Sequence, residues 1–261
     1  MKNSKILVSV KNLDELKEYK KIGITNFLFA LKGFSIGYPE FTLDELLDLD
    51  INVYLNINLV MDTKKINEFK NIISKLDFVK GIFFEDLGIY YVLKDHHIPL
   101  IWNQNHFVIN SVSINSWLNR VTSACLTNEL TKEEIKYILE KTSKPLILPI
   151  FGYNIAMYSR RYLLSNFNRY HGYKIVNNGY LKINPQNQFK AYETENGTVL
   201  FYHKPFNYYP IINELKDEKI WFYYFDLTHS NIAQYHKIIN NEISDSEERF
   251  LNHKTIYKLE D

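Results

Sequence analysis

Polar residues with chemical capability recur at one kind of position in this 261-residue chain, just past short apolar runs. Lys32 follows the run 25–31, and Asn56 and Asn58 close the run 52–58. Glu85 and Asp86 end the run 81–85, and Asn103, Gln104, Asn105 and His106 end 99–103. Asn128 and Glu129 follow 123–127, while Ser159, Arg160 and Arg161 come after 144–151. Amides supply paired donors and acceptors, carboxylates accept or shuttle protons, and guanidinium groups grip carboxylate or phosphate through two parallel bonds. Together they suit the binding of a polar, anionic small molecule. Only five of the 31 basic residues are arginine, and three of those five lie between 160 and 169. Arginine used so sparingly marks places where a planar, bidentate cation is needed.

Each position also has a plainer use. Asp86 is most simply the N-cap of the helix that follows it. Glu129 can satisfy backbone ahead of Thr131, and Asn103 to Asn105 can be loop residues with unusual dihedrals. His96 and His97 at a helix end complement its dipole better than they bind metal. His229 and His236 share a helix face but lack a third ligand, so no metal site is expected. The glycines at 33 and 37 lack the lysine and hydroxyl of a phosphate-binding loop. Ser9, Ser35 and Ser159 have no elbow motif and no adjacent histidine. Residues 158–174 mix Arg160, Arg161 and Arg169 with tyrosines and Phe167, a composition fit for stacking on unpaired bases or for an ordinary amphipathic helix.

The elements that would carry these residues alternate. β-branched or aromatic runs at 5–10, 25–31, 52–58, 81–85, 99–103, 123–127, 144–151 and 220–225 read as strands. Between them lie helical segments: 13–21 capped by Asn12 and ended by Gly23, one capped by Thr42, then 63–76, 87–94 and 114–118. Thr131 and Glu134 form a capping box opening a helix to Lys141, and further helices are expected over 210–215 and 230–240. The rhythm breaks at 153–207, where Asn177-Asn178-Gly179 and Asn196-Gly197 read as hairpin turns. Eight strands separated by helices predict a (β/α)8 TIM-like barrel with an irregular β-hairpin insertion after strand seven, at about residues 172–207. The runs are continuously apolar, as when both faces are covered. An open doubly wound sheet is the alternative, but no dinucleotide fingerprint follows the first strand. The single barrel domain spans 1–243, and 244–261 is a charged tail. Chemistry in such a barrel sits at the carboxyl ends of the strands.

Bulk composition narrows the partners. Net charge is +1, so no global basic field draws in nucleic acid, and any RNA contact needs a local patch. Cys125 is the single cysteine, which excludes an internal disulfide and a cysteine-ligated cluster built by this chain alone. No run reaches the ~20 apolar residues of a membrane helix, and no signal-peptide core opens the sequence. A cytoplasmic protein with no membrane partner is expected.

Several segments, in register over residues 25–167, resemble peptidase family U32, the collagenase-like family. Asp86-Leu87-Gly88 within 84–94 looks like its "DLG" strand–helix turn. Residues 102–110 resemble the following segment, with Gln104 and Asn110 in place. Leu126 to Ile135 resembles "LSRELSLEEI", matching Glu129. Phe151-Gly152 followed by Ser159 to Asn166 resembles "HG…SGRC-LS". Three departures stand out: Phe151 where the family has histidine, Tyr162 where it has cysteine, and Asn128 in place of arginine.

The resemblance implies two activities. The family name implies a protease, although neither a nucleophile–histidine pair nor a zinc motif is visible. Better-understood members take part in oxygen-independent hydroxylation of tRNA wobble uridine with prephenate as donor, of ribosomal RNA, or of ubiquinone precursors. They often act in pairs and use an iron–sulfur cluster. The leading expectation is therefore a component of prephenate-dependent tRNA hydroxylation. Glu129, Gln104 and Asn58 are its catalytic candidates. Lys32, Glu85, Asn103, Asn110, Arg160, Arg161, Ser165 and Asn166 are its substrate-binding candidates, Lys32 and Arg161 neutralising the donor. With the cluster cysteines absent, no cofactor is expected on this chain alone, prephenate would be a co-substrate, and a cysteine-bearing paralogue would be the partner alongside tRNA. The alternatives are a protease and a non-catalytic scaffold or partner subunit, which a pocket blocked by Phe151 and Tyr162 would favour.

Overall fold

A computed structural model describes residues 2–174, 176, 178–182, 188–243 and 245–252. The chain opens with β1 (Ile6–Ser9), α1 (Leu13–Lys21), β2 (Asn26–Leu31), β3 (Glu40–Phe41), α2 (Leu43–Leu47), β4 (Asn52–Ile57) and α3 (Thr63–Lys70). It continues with β5 (Gly81–Phe84), α4 (Leu87–Leu93), β6 (Leu100–Trp102), α5 (Ser111–Leu118), β7 (Ser123–Ala124), α6 (Lys132–Lys141) and β8 (Leu146–Gly152). Then come β9 (Ile155–Ser159), α7 (Leu163–Tyr170), β10 (Asn178–Lys182), β11 (Gln188–Thr194), β12 (Gly197–Tyr202), β13 (Phe206–Asn207), β14 (Ile220–Asp226) and α8 (Ile232–Ile239).

The helices start where short polar side chains satisfy their free N–H groups. Asn12 accepts from the Glu15 backbone, and both Thr42 and Thr131 form reciprocal capping boxes with the glutamate three residues on. Asn110 caps α5 in the same way, so this helix begins three residues earlier than the apolar pattern predicts. The segment expected as a helix over 210–215 is instead a 3-10 turn, Tyr209–Glu214.

The main sheet runs β8-β14-β1-β2-β4-β5-β6-β7, all parallel, with β13 antiparallel against β8 and β3 alongside β2. It curls until its ends meet: Cys125, just past β7, pairs in parallel with Ile147 of β8, and the Leu126 N–H donates to the Ile147 carbonyl at 2.9 Å. This mixed α/β arrangement is compatible with a (β/α)8-like barrel. The strands are buried on both faces. One face joins the helices in a large core that includes Tyr19, Phe27, Phe29 and Phe84. The other lines the inside of the curl with Leu7, Leu28, Tyr54, Phe83, Ile101, Cys125, Ile147 and Phe222.

A second, antiparallel sheet has the order β10-β11-β12-β9. Glu195 and Asn196 turn the chain between β11 and β12, where Thr194 pairs with Gly197. Gly197 has φ 124°, and a Cβ there would meet the Ser159 carbonyl oxygen, so only glycine fits. The turn expected at 177–179 is not seen at its described residues: Asn178 and Gly179 lie within β10, opposite Tyr192 and Ala191, and Asn177 is outside the described residues. Of the tail, 253–261 and Ser244 are outside the described residues, while Glu247 bridges to Phe206 and Leu251 is buried.

Candidate functional site

A cavity of about 630 Å³ opens at the carboxyl ends of the parallel strands. Alternation along a strand sends every second residue inward. This places Asn56 and Asn58 from β4 and its extension, Glu85 after β5, Asn103 after β6 and Tyr224 and Asp226 from β14 on the lining, above the apolar layer inside the curl. Loops add Tyr38, Gln104, His106, Asn128 and Asn154. Among the described residues, the lining holds no lysine and no arginine.

Several of these side chains are already committed to the protein. Asn58 is buried and clips the loop after β2 by accepting from the Ile36 N–H at 2.9 Å and donating to the Ile36 carbonyl at 3.1 Å. Gln104 donates to the Glu85 carbonyl at 2.6 Å and accepts from the Trp102 indole at 3.0 Å. Asn128 and Asn154 exchange side-chain hydrogen bonds, joining the loops after β7 and β8. Tyr208 donates to the Asn128 carbonyl from beneath. Asp86 caps α4 by accepting from the Gly88 N–H at 2.7 Å, and it also accepts from the Met61 N–H at 2.9 Å.

Burial shifts several ionisable groups in and beside the lining. Glu85 is pushed up to about 8 by desolvation alone, so at neutral pH it is a protonated donor. Asp226 is also raised: its burial outweighs the hydrogen bonds from Thr228 and the attraction of His229. His229 is lowered, chiefly by its own burial among Tyr153, Tyr192 and Phe201. Burial raises the phenols of Tyr38 and Tyr224 well above their ordinary value. The result is a pocket of amides and aromatic rings in which burial pushes Glu85 and Asp226 toward their protonated forms, and whose Asp86 is occupied as the α4 cap.

The residues singled out from sequence divide into three sets. Asn58, Glu85, Asn103 and Gln104 line the cavity together. Glu129 does not, but it lies 2.8 Å from His106 Nδ1, which does. Lys32 is exposed and outside the lining, and Asn110 is occupied as the α5 cap. Arg160 lies 2.7 Å from Asp62, and Arg161 is exposed. Ser165 and Asn166 line a separate cleft of about 380 Å³ with Tyr162, Arg169 and Glu193. There Glu193 accepts from the Leu164 and Ser165 N–H groups and from the Ser165 and Thr198 hydroxyls, holding the start of α7. Asp226, Tyr224, Tyr38 and Asn154 were not singled out. Asp226 carries a readable signal, a carboxylate directly after a strand, whereas Asn154 becomes visible only through its pairing with Asn128.

Neither Phe151 nor Tyr162 obstructs the cavity. Phe151 is buried in the outer core, and Tyr162 is half-exposed with its hydroxyl on the Glu195 carbonyl. An iron–sulfur cluster does not fit the residues present: Cys125 is the sole cysteine of the sequence, it faces the inside of the curl, and burial raises its thiol far above the usual range. Among the described residues, the grouping that could hold a metal ion is Asp77, His96 and His97, none of which lines the cavity. No helix among them is long and apolar enough to cross a membrane.

The family model for peptidase family U32 matches residues 30–222, which include every polar lining residue named above except Tyr224 and Asp226 of β14. No curated protein and no solved structure matches the chain.

Proposed function

Because the chain belongs to peptidase family U32, we propose that it is the base-binding component of an RNA-hydroxylation system acting on the wobble uridine of tRNA. The observation that carries this reading is the composition of the cavity: amides, tyrosines, His106, the acids Glu85 and Asp226 pushed toward their protonated forms and the helix cap Asp86, with no lysine or arginine among the described residues. An enzyme acting on a base takes it out of the stack into a pocket that reads its edge by hydrogen bonds and its face by aromatic contact. Uncharged donors and acceptors suit an uncharged base. They do not suit a dianionic donor such as prephenate, whose carboxylates would be desolvated against neutral groups.

The curled sheet is read as a closed (β/α)8 barrel with the second sheet as an insertion after its seventh strand. That insertion supplies the RNA-facing surface. Phe167, Tyr170, Tyr173 and Tyr180 are exposed, as are Arg161 and Arg169, a combination suited to stacking on unpaired bases and tracking phosphate. Prephenate and the iron–sulfur cluster are assigned to a cysteine-bearing paralogue bound to this chain, in a cytoplasmic complex.

Two candidate nucleophiles for proteolysis near the cavity, Ser9 and Cys125, are unsuited to it. Ser9 Oγ is hydrogen-bonded to the Leu28 carbonyl and the Tyr224 hydroxyl, and the Cys125 thiol is held protonated. Nucleoside analysis of tRNA from a strain lacking the gene tests the proposal. Loss of wobble hydroxylation is expected, and an unchanged level with no second gene copy overturns it. Incubation with casein or denatured collagen is expected to give no cleavage, and cleavage abolished by Glu129→Ala would restore the protease reading.

A further inference from the structure

Two groups on the cavity wall have opposite hydrogen-bonding roles. Asn56 is 6% exposed, and its side-chain oxygen is buried without a hydrogen bond. Buried acceptors are nearly always paired in native proteins, so this oxygen asks for a donor from outside the chain. Glu85 stands on the neighbouring strand. Asn56 is in register with Phe83, two residues before Glu85, so the alternation of β5 turns Phe83 and Glu85 to the same face. All three line the cavity. Burial is the one influence on the Glu85 carboxyl, which keeps its proton at neutral pH and offers it as a donor.

We propose that Asn56 Oδ1 and the Glu85 carboxyl together read the cis-lactam edge of a ligand, the amide oxygen accepting from a ring N–H and the carboxyl donating to the adjacent carbonyl. The inference rests on the cavity being a base site and narrows which base it takes. Uracil and guanine present an N–H beside a carbonyl. Cytosine and adenine present a bare ring nitrogen beside an amino group, which reverses both roles and leaves acceptor facing acceptor.

Nucleoside binding to the intact chain, followed by NMR or calorimetry at neutral pH, tests this. Uridine is expected to bind, with 3-methyluridine and cytidine at least ~10-fold weaker, because a site built around a hydrogen bond rejects the analogue lacking it. Asn56→Leu should erase the difference between uridine and 3-methyluridine. Wild-type affinity for uridine should fall as pH rises through about 8, where Glu85 ionises, whereas Glu85→Gln, which retains a donor, should bind evenly across that range. The other titratable groups lining the cavity are Tyr38, Asp86, His106, Cys125, Tyr153, Tyr158, Tyr224 and Asp226. Burial raises all four phenols and the thiol above their ordinary values.

Equal affinity for uridine and 3-methyluridine overturns the proposal even where wobble hydroxylation depends on the gene. Absence of any nucleoside binding at ~10 mM overturns it too. The comparison of nucleosides on wild-type protein needs no variant and stands if a variant fails to fold. Unchanged wobble modification in the deletion strain would remove the RNA role alone.

Discussion

The side-chain amide of Gln104 donates to the backbone carbonyl of Glu85 across 2.6 Å, tying the loop after β6 to the end of β5. Its oxygen is spent as well, on the Trp102 indole N–H. Gln104 thus acts on the cavity through Glu85, as a positioning residue. Gln104→Ala should lower stability by about 1–3 kcal/mol, since it strands a buried indole donor. Urea unfolding measures this, and an unchanged midpoint would show that water replaces the amide.

Glu85 should make stability fall with rising pH. Its folded pKa of about 8 lies above the ordinary carboxyl value of 4.5, so between these values the folded state holds a proton that the unfolded state releases. Stability therefore declines across that window and levels off above it. Glu85→Gln should flatten the decline, seen as urea midpoints that converge with wild type near pH 5 and exceed it above pH 8. Parallel curves for the two proteins would place the Glu85 carboxyl in water.

Cys125 should be inert in the folded protein. It is buried at the point where β7 meets β8, and its thiol is held protonated. Reaction with a disulfide reagent at neutral pH is expected only after denaturation. Rapid modification without unfolding would mean that the two strands part there.

Glu193 holds the start of α7. Burial alone would raise its pKa, but hydrogen bonds from Ser165, Thr198 and the Leu164 N–H outweigh it and hold the carboxyl below its ordinary value. Its stabilising effect is present above the unfolded pKa and is lost as pH falls through the folded one. Glu193→Gln should cost about 1–3 kcal/mol and speed proteolysis within 160–174 while leaving nucleoside binding in the cavity intact. A loss of that binding would connect the two sites.

Paired arginine removal should separate the RNA surface from the cavity. Arg161 and Arg169 are exposed and outside the cavity lining. Arg161→Ala with Arg169→Ala should weaken tRNA binding about uniformly across sequences and reduce its salt dependence by about two phosphate contacts. Nucleoside affinity should not change. Filter binding at several salt concentrations reads the first effect, and an unaltered salt slope would move the RNA surface elsewhere.

Local chemistry was legible in the sequence wherever its reach is three or four residues. Asn12, Thr42 and Thr131 could be assigned as caps because a cap bonds the backbone three positions on. The strands could be placed because burial on both faces demands unbroken apolar runs. The same locality explains where the structure departs from it: Asn178-Gly179 has turn composition, but pairing with β11 across a sheet overrides it. Asn110, which matches a family motif, also caps α5.

The sequence by itself determined the alternation of strands and helices, the polar character of the strand ends and the absence of cluster ligands, since each follows from residue type and near neighbours. Only the tertiary structure decided which polar ends share a cavity. Lys32, Arg160 and Arg161 stay outside it, where water or Asp62 solvates their charge. Asn56 and Glu85 lie inside because the curl of the sheet turns alternate residues toward its axis. A neutral amide and a protonated carboxyl can be withdrawn from water there at a cost that a fixed cation could not meet.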